Sequence, residues 1–263
     1  TARINTVKVS IEDCIKELQN LGWTIEQDKD IPEVVYIDSH QGHLEKAKPV
    51  IEGHITFMDK ASMLVAHVVD PQPGERILDC CAAPGGKSMH MASLMNNTGA
   101  IMSCDIYDHK LDLMNQNAER LGVSIVSTKL QDGRSLPDNW KEQFDRVLVD
   151  APCSGLGILQ KKLDMRWRKT EDLLNELPPL QLEILEKASE MVKVNGHLVY
   201  STCTINRGEN EDVLEKFLAT HKNFVIDPVS CEGLPPASDG MISTYPPRDH
   251  MDGFFMARMK RLS

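Results

Sequence analysis

The pattern of hydrophobic and polar positions divides the chain into two parts that differ in the order of their predicted strands and helices. Residues 3–9 alternate and are rich in β-branched side chains, which predicts a strand. Ser10 then offers a helix N-cap, and apolar positions at helical spacing follow until Gly22 ends them. A second strand is predicted over residues 34–37. Residues 1–54 are therefore expected to form a small α+β subdomain.

From about residue 55 onward, predicted strands and helices alternate, which is typical of a parallel sheet. The predicted strands cover residues 76–80, 100–104, 123–129, 144–149, 197–201, 224–226 and 254–259. The predicted helices cover residues 61–69, 87–95, 108–121, 179–192 and 209–220. The apolar run at 144–149 is nearly continuous, as expected for a strand buried on both faces. Residues 55–263 are thus predicted to be an α/β domain with helices on both faces of its sheet.

Residues that can carry chemistry follow five of these strands. They are the segment 81–87 (CAAPGGK), Asp105, Asp132, the pair Asp150 and Cys153, and Cys203. The carboxyl ends of parallel strands border one crevice, so these residues are expected to meet there. The glycine turn would let backbone amides approach a ligand at a helix N-terminus. Taken singly, each acidic residue could be a helix cap and each cysteine a small buried side chain. Because these residues recur at the ends of successive strands, they predict a ligand-binding site.

Single positions argue against several familiar sites. A phosphate-binding loop would need glycine where Cys81 stands, and the dinucleotide pattern G-x-G-x-x-G is absent. A zinc deaminase would need a second cysteine where Leu156 stands. No Cys-x-x-Cys pair occurs, so no metal is expected.

Composition narrows the class of protein. No apolar run reaches the roughly 18 residues of a membrane span, and no signal-peptide pattern is seen, so no membrane association is expected. The seven cysteines lack a disulfide spacing, which favours a reducing, cytoplasmic location. The net charge of −10 differs from the basic footprint of most nucleic-acid binders, so a polyanion would have to meet a local patch.

One such patch lies between residues 161 and 169, a segment with five basic residues and only one acidic residue. The basic residues are Lys161, Lys162, Arg166, Arg168 and Lys169. A solvated loop would explain them. Their place soon after Cys153, with Trp167 among them, also suits a nucleic-acid strand entering the crevice, and we expect RNA to bind there.

Together, these motifs resemble the Nop/Sun family of RNA cytosine-5 methyltransferases, and most closely its bacterial members that act on small-subunit (16S) ribosomal RNA. The resemblance runs from residue 1 to about 260. It is carried by the segments 3–5 (RIN), 78–87 (LDCCAAPGGK), 150–155 (DAPCSG), 200–204 (YSTCT) and 252–255 (DGFF). It implies a Rossmann-like methyltransferase sheet with S-adenosylmethionine bound in the crevice.

The resemblance also implies which residues hold that cofactor. Those around its methionine end are Cys81, Ala82, Ala83, Pro84, Gly85, Gly86 and Lys87. Asp105 is expected on the ribose and Asp132 near the adenine, with Asp150 between the cofactor and the target base.

By the same resemblance, Cys203 is the nucleophile that attacks cytosine and Cys153 helps to release the product. DNA cytosine methyltransferases use the Pro-Cys thiol instead, together with a Glu-Asn-Val motif that this sequence lacks, which favours Cys203. Asp150 is expected to protonate or hydrogen-bond ring nitrogen 3 of the base.

The expected partner is 16S ribosomal RNA, and nothing in the sequence demands more than a monomer. Relatives carry an N-terminal helical domain resembling the antiterminator NusB, so we expect this chain to be a catalytic region without it. Two alternatives stay open: the same chemistry on transfer RNA, and a non-catalytic RNA-binding factor in ribosome assembly. The second would have no need of Cys153 and Cys203.

Overall fold

Two β-sheets organise the chain in the computed structural model, which describes residues 1–40, 42–161, 171–230 and 233–263. The strands are β1 Ala2–Ile4, β2 Thr24–Gln27, β3 Val34–Ser39, β4 Ile55–Phe57, β5 Arg76–Asp79, β6 Ala100–Asp105, β7 Val126–Leu130, β8 Phe144–Asp150, β9 Val192–Thr202, β10 Phe224–Ile226, β11 Met241–Ser243 and β12 Phe255–Arg261. The α-helices are α1 Ile11–Asn20, α2 Lys48–Ile51, α3 Lys60–Val69, α4 Gly86–Leu94, α5 Asp108–Leu121, α6 Glu171–Ser189, α7 Glu211–Thr220 and α8 Pro246–Asp249. Among the described residues, no helix combines the length and the apolar character that crossing a bilayer requires.

The first sheet is small and antiparallel, in the order β2-β3-β1-β4. The Ser10 side chain caps α1 as expected, accepting from the Asp13 amide. The strand predicted over residues 3–9 is wrong beyond Ile4, because the chain turns at Asn5 and the Lys8 amide donates to the Asn5 carbonyl at 3.0 Å.

Strand β4 belongs to this small sheet, where it pairs with β1. It lies just past residue 54, at which the sequence was divided. The division into 1–54 and 55–263 stays a prediction.

The second sheet has the order β10-β12-β9-β8-β5-β6-β7, with β11 paired to β12. The five strands from β9 to β7 are parallel, and β12 joins them antiparallel. The chain leaves β5 toward β6 on one side and later returns to β8 on the other, so the topological switch point lies between β5 and β8. The α/β fold class is confirmed.

Some predicted boundaries are wrong. Strand β9 begins at Val192, five residues before the predicted start, because Asn195-Gly196 looks like a turn but is accommodated where the register with β8 shifts. Helix α6 begins eight residues earlier than predicted and contains Pro178 and Pro179 in its interior. Strand β7 begins at 126 rather than 123.

The large sheet is covered on both faces, as the apolar run in β8 indicated. Val147, Leu148 and Val149 are all fully buried. Leu148 packs into a cluster with α3 and α4, whereas its two neighbours pack into a cluster with α6 and α7. Burying such side chains stabilises by about 1.5–3 kcal/mol each. The strand ends that border the crevice therefore project from a well-packed core.

Candidate active site

The crevice at the switch point gathers the ends of β5, β8 and β9. Asp150, the last residue of β8, is in register with Ser201 of β9, and the Ala151 amide donates to the Ser201 carbonyl at 2.8 Å. The segments that carry Cys153 and Cys203 leave these two adjacent strands on the same side. The topology thus brings the two predicted thiols together.

The two thiols are in direct contact. The Sγ atoms of Cys153 and Cys203 are 3.2 Å apart, and the Cys203 amide donates to the Cys153 Sγ at 3.3 Å. Both residues are half-buried, so each is open to a partner in the crevice. Two sulfur atoms fifty positions apart in sequence therefore lie in contact in the folded chain.

The surroundings of the pair separate the roles of the thiols. The hydrogen bond from Cys153, helped by the Lys87 ammonium, lowers the pKa of Cys203 despite the opposing effects of burial and Asp150. The same hydrogen bond, together with burial, raises the pKa of Cys153 well above its ordinary value. Because the thiolate is the reactive form, this asymmetry favours Cys203 as the nucleophile and keeps Cys153 protonated. It supports the assignment made from the resemblance, which stays a prediction.

An ion pair borders the thiols. Lys87 Nζ donates to Asp150 Oδ2 at 2.6 Å, and Ser201 Oγ donates to Asp150 Oδ1 at 2.8 Å. Burial disfavours the Lys87 charge, but the Asp150 carboxylate outweighs it, so the pKa of Lys87 is raised. The amino group of Lys87 reaches Asp150 and lies 5.3 Å from the centre of the Phe254 ring, and its place around the cofactor stays a prediction.

Buried hydrogen bonds at the start of α4 hold the glycine turn that follows β5. Gly85 caps α4 with φ of 98°, a left-handed conformation that favours glycine. Ser88 Oγ donates to Asp79 Oδ2 at 2.7 Å, and Ser103 Oγ donates to Ser88 Oγ at 2.9 Å. Burial raises the pKa of Asp79 to about 7, and its Oδ1 has no hydrogen-bond partner among the described residues. The turn thus presents the N-terminus of a nine-residue helix to the crevice, above a buried carboxyl with one free oxygen.

The two other predicted acids differ in their surroundings. Asp105 is buried and accepts from the amides of Ala83 at 3.2 Å and Tyr107 at 3.1 Å, so it links the glycine turn to the end of β6. Asp132 pairs with Arg134 at 2.6 Å on the surface. Ile106, which directly follows Asp105, is 55% exposed. An acidic acceptor, an exposed apolar side chain and a helix N-terminus along one rim fit a nucleoside with a charged tail.

The structure describes only one member of the predicted RNA-binding cluster. Lys161 forms ion pairs with Asp59 and with Asp252, the latter at 3.1 Å, so its amino group already has two carboxylate partners. The members that lie outside the described residues are Lys162, Arg166, Arg168 and Lys169. RNA binding by this cluster stays a prediction.

The sequence patterns missed a buried carboxylate next to the thiol segments. Glu209 accepts from the Ser154 amide at 2.8 Å, and Ser154 directly follows Cys153. The sequence pattern predicts Glu209 only as the start of a helix, which in fact begins at Glu211. An acid six positions after Cys203 carries no sequence signal of its burial.

Comparisons with known proteins agree on one family. The family described as 16S rRNA methyltransferase RsmB/F matches residues 66–260. A Bacillus subtilis protein named probable ribosomal RNA small subunit methyltransferase B is 37% identical over 99% of this chain and 59% of its own length. A Cronobacter sakazakii ribosomal RNA small subunit methyltransferase F is 31% identical over 98% of this chain and 56% of its own length. The chain thus spans less than two thirds of these relatives.

A solved structure extends the similarity to three dimensions. The crystal structure of a methyltransferase homologue from Pyrococcus horikoshii is 30% identical and superposes with a TM-score of 0.88. It covers 99% of this chain and 86% of its own length.

Proposed function

We propose that this chain, which belongs to the RsmB/F family of methyltransferases, transfers a methyl group from S-adenosylmethionine to carbon 5 of a cytosine in 16S ribosomal RNA. The family and its Rossmann-like fold are those that the motifs predicted. The observation that carries the cytosine-5 chemistry is the thiol pair, Cys153 and Cys203, at 3.2 Å beside the Lys87–Asp150 ion pair.

S-adenosylmethionine supplies an electrophilic methyl group on a sulfonium. The residues that would hold it lie along the rim of the crevice. The N-terminus of α4 and the free oxygen of Asp79 suit the charged methionine end, and Asp105 with exposed Ile106 suits the nucleoside. Asp132 is proposed near the adenine, although its carboxylate also pairs with Arg134.

Cytosine carbon 5 is a weak nucleophile, so the protein has to activate it. The Cys203 thiolate adds to carbon 6, which gives carbon 5 the electron density it needs to accept the methyl group. Asp150 is proposed to protonate or hydrogen-bond ring nitrogen 3, which stabilises the charge that develops in the adduct, and Lys87 is hydrogen-bonded to Asp150.

Release needs a base. After methyl transfer, carbon 5 still carries its proton, and that proton must leave before the bond between carbon 6 and the Cys203 sulfur breaks. Cys153, whose sulfur is 3.2 Å from that of Cys203, is the proposed base. Cys153 first gives up its own proton to solvent, and its raised pKa makes the resulting thiolate a strong base for the carbon-5 proton.

The target base has to leave any stack to reach the thiols, at a cost of a few kcal/mol that is smallest in a loop. Action as a monomer, a cytoplasmic location and RNA contacts by the basic cluster at 161–169 belong to the same proposal.

The test is to incubate the protein with methyl-labelled S-adenosylmethionine and unmodified 16S ribosomal RNA, then digest the RNA to nucleosides. Label in 5-methylcytidine is the expected result, and Cys203→Ala is expected to abolish it. A parallel reaction with transfer RNA separates the two RNA classes. Label only in transfer RNA, or in a nucleoside other than 5-methylcytidine, would contradict the proposal.

A further inference from the structure

Glu209 is a fully buried carboxylate whose four partners are all uncharged donors. Its Oε2 accepts from the Ser154 amide at 2.8 Å and from Gln181 Nε2 at 3.0 Å. Its Oε1 accepts from the Ser154 hydroxyl and from Asn206 Nδ2 at 3.1 Å. Burying a carboxylate is costly unless its oxygens are hydrogen-bonded, so Glu209 stays in place only while these donors do.

These bonds join the two thiol segments to each other. Ser154 directly follows Cys153, and Thr204 directly follows Cys203. The Ser154 Oγ and the Thr204 Oγ1 are 2.8 Å apart. Because the Ser154 hydroxyl donates to Glu209, the Thr204 hydroxyl donates to Ser154. The Glu209 carboxylate is therefore hydrogen-bonded to the residue that follows Cys153 and, through it, to the residue that follows Cys203.

The carboxylate is itself fixed to the scaffold. Gln181 of α6 donates both to Glu209 and to the Pro152 carbonyl, the latter at 2.9 Å. The Tyr200 hydroxyl of β9 donates to the Glu209 carbonyl at 2.6 Å. Glu209 is thus held by the helix and the strand that border the crevice.

We propose that Glu209 is a positioning residue that holds Cys153 and Cys203 at the separation which the reaction needs. The inference rests on the proposed function, but the thiol contact it explains exists without RNA. A misplacement of about 1 Å between reacting groups can cost roughly 100-fold in rate. A longer distance between the sulfur atoms would also weaken the hydrogen bond that lowers the pKa of Cys203.

Glu209→Gln tests this with little change of volume. Its amide group would face backbone and side-chain N–H donors, so at least one of the four hydrogen bonds is lost. The main readout is the pH dependence of iodoacetamide alkylation at Cys203, followed by peptide mass spectrometry in protein without RNA. We expect its midpoint to rise by roughly one pH unit. We also expect kcat to fall by roughly tenfold or more, with KM for S-adenosylmethionine unchanged.

Asp28→Asn is the matched control. Asp28 is also a buried carboxylate with four donors, namely the amides of Asp30 and Ile31, the Tyr36 hydroxyl and Lys60. It lies in the small N-terminal unit rather than at the thiol segments. Its loss is expected to lower the melting temperature and to leave the alkylation profile of Cys203 unchanged.

A second variant covers the case in which Glu209→Gln does not fold. Ser154→Ala removes the hydroxyl that links Glu209 to Thr204, and a smaller shift in the same direction is expected. An unchanged Cys203 profile in the folded variants, or an equal shift in Asp28→Asn, would overturn the proposal. A failure to methylate any RNA would count against the proposed function. The comparison of Cys203 alkylation profiles would still test the role of Glu209, because alkylation needs no RNA.

Discussion

At the scale of single residues, the site works through unequal environments for similar groups. Cys153 and Cys203 share one contact, yet their pKa values move in opposite directions because only one sulfur can hold the proton between them. Cys80, directly after β5, and Cys104, in β6, are in contrast buried, and burial raises the pKa of each thiol. The direction of each pKa shift therefore depends on the position of the thiol in the fold and not on the residue type.

Removing Cys153 should trap the reaction after methyl transfer. Without a base for the carbon-5 proton, the bond between carbon 6 and the Cys203 sulfur cannot break. For Cys153→Ala we expect a covalent protein–RNA adduct that survives denaturing electrophoresis with labelled RNA. Cys153→Ala combined with Cys203→Ala should show none, and Cys14→Ala, in α1, should behave as wild type. Rapid turnover of Cys153→Ala without adduct would refute the release role.

Lys87 is predicted to tune the nucleophile. Its ammonium stabilises the Cys203 thiolate, and its removal leaves the Asp150 charge, which opposes that thiolate. Lys87→Met should therefore raise the pH at which Cys203 reacts with iodoacetamide. Lys60→Met is the control, since Lys60 is also buried and paired with a carboxylate, Asp28, away from the thiols. Equal profiles for wild type and Lys87→Met would exclude this effect.

At the scale of elements, the junction between β5 and α4 shapes the rim of the crevice at which the cofactor is proposed to bind. The left-handed Gly85 is the N-cap at which the turn that follows β5 passes into α4. A Cβ at this position would lie 3.0 Å from the Met114 side chain, in addition to the backbone strain. This residue therefore couples the local backbone to the fit of the rim.

Gly85→Ala is expected to weaken S-adenosylmethionine binding and to lower stability by about 1–3 kcal/mol, the usual cost of a strained backbone. The readouts are calorimetric titration of the cofactor and thermal unfolding. Gly74→Ala is a matched control, because Gly74 also has a positive φ, of 89°, but has open space around its missing Cβ. It should lose stability and keep its affinity. Equal affinities for wild type and Gly85→Ala would argue against this rim as the cofactor site.

At the scale of the whole molecule, a buried polar cluster joins the small N-terminal unit to the catalytic sheet. Glu33 Oε1 accepts from His67 Nε2 at 2.7 Å and from His90 Nε2 at 3.0 Å. The buried Arg3 adds a further link, donating to Ser93 at 3.0 Å. Residues from β1, α3 and α4 are thus held together by charge and hydrogen bonds.

Three of these side chains, Glu33, His67 and His90, are of the kinds that bind metal ions and lie close enough together to hold one. A metal-bound histidine usually donates its other ring N–H to a partner. His90 is fully buried, and its Nδ1 has no partner among the described residues. The geometry therefore fits a hydrogen-bonded cluster better than a metal centre.

This cluster predicts a loss of stability in acid. Burial lowers the pKa of His90 to about 4, against 6.5 for a free histidine. The unfolded chain therefore binds more protons than the folded chain between these values, so stability falls as pH decreases from 6.5 to 4. The loss attributable to His90 is at most roughly 3 kcal/mol. Burial alone would raise the pKa of Glu33, but the hydrogen bonds from both histidines hold it well below its usual range. Glu33 thus adds a loss of the same sign below about pH 4.5.

Melting temperatures across pH 4–8 check this prediction, with His90→Gln as the comparison. The variant is expected to start from a lower stability and to show a shallower slope between pH 6.5 and 4. Parallel curves for the two proteins would contradict the role of His90.

The sequence by itself determined the α/β class, most elements of the large sheet and the residues at the strand ends. Periodicity and glycine or proline punctuation are local signals, and the rule that parallel strands end at one edge places Asp105, Asp150 and Cys203 along one crevice. The family followed from motifs at those same ends. Polar or irregular stretches defeated the local signals, as in the turn at Asn5 and the early start of β9.

Only the tertiary structure decided how these residues act on one another. The thiol contact at 3.2 Å, the turn of Lys87 toward Asp150 and the burial of Glu209 join segments tens of residues apart. Distances of this kind depend on how β5, β8, β9 and α6 pack, and packing is a property of the whole core that no local pattern encodes. The pKa asymmetry that favours Cys203 exists only once that packing has brought its partners within reach.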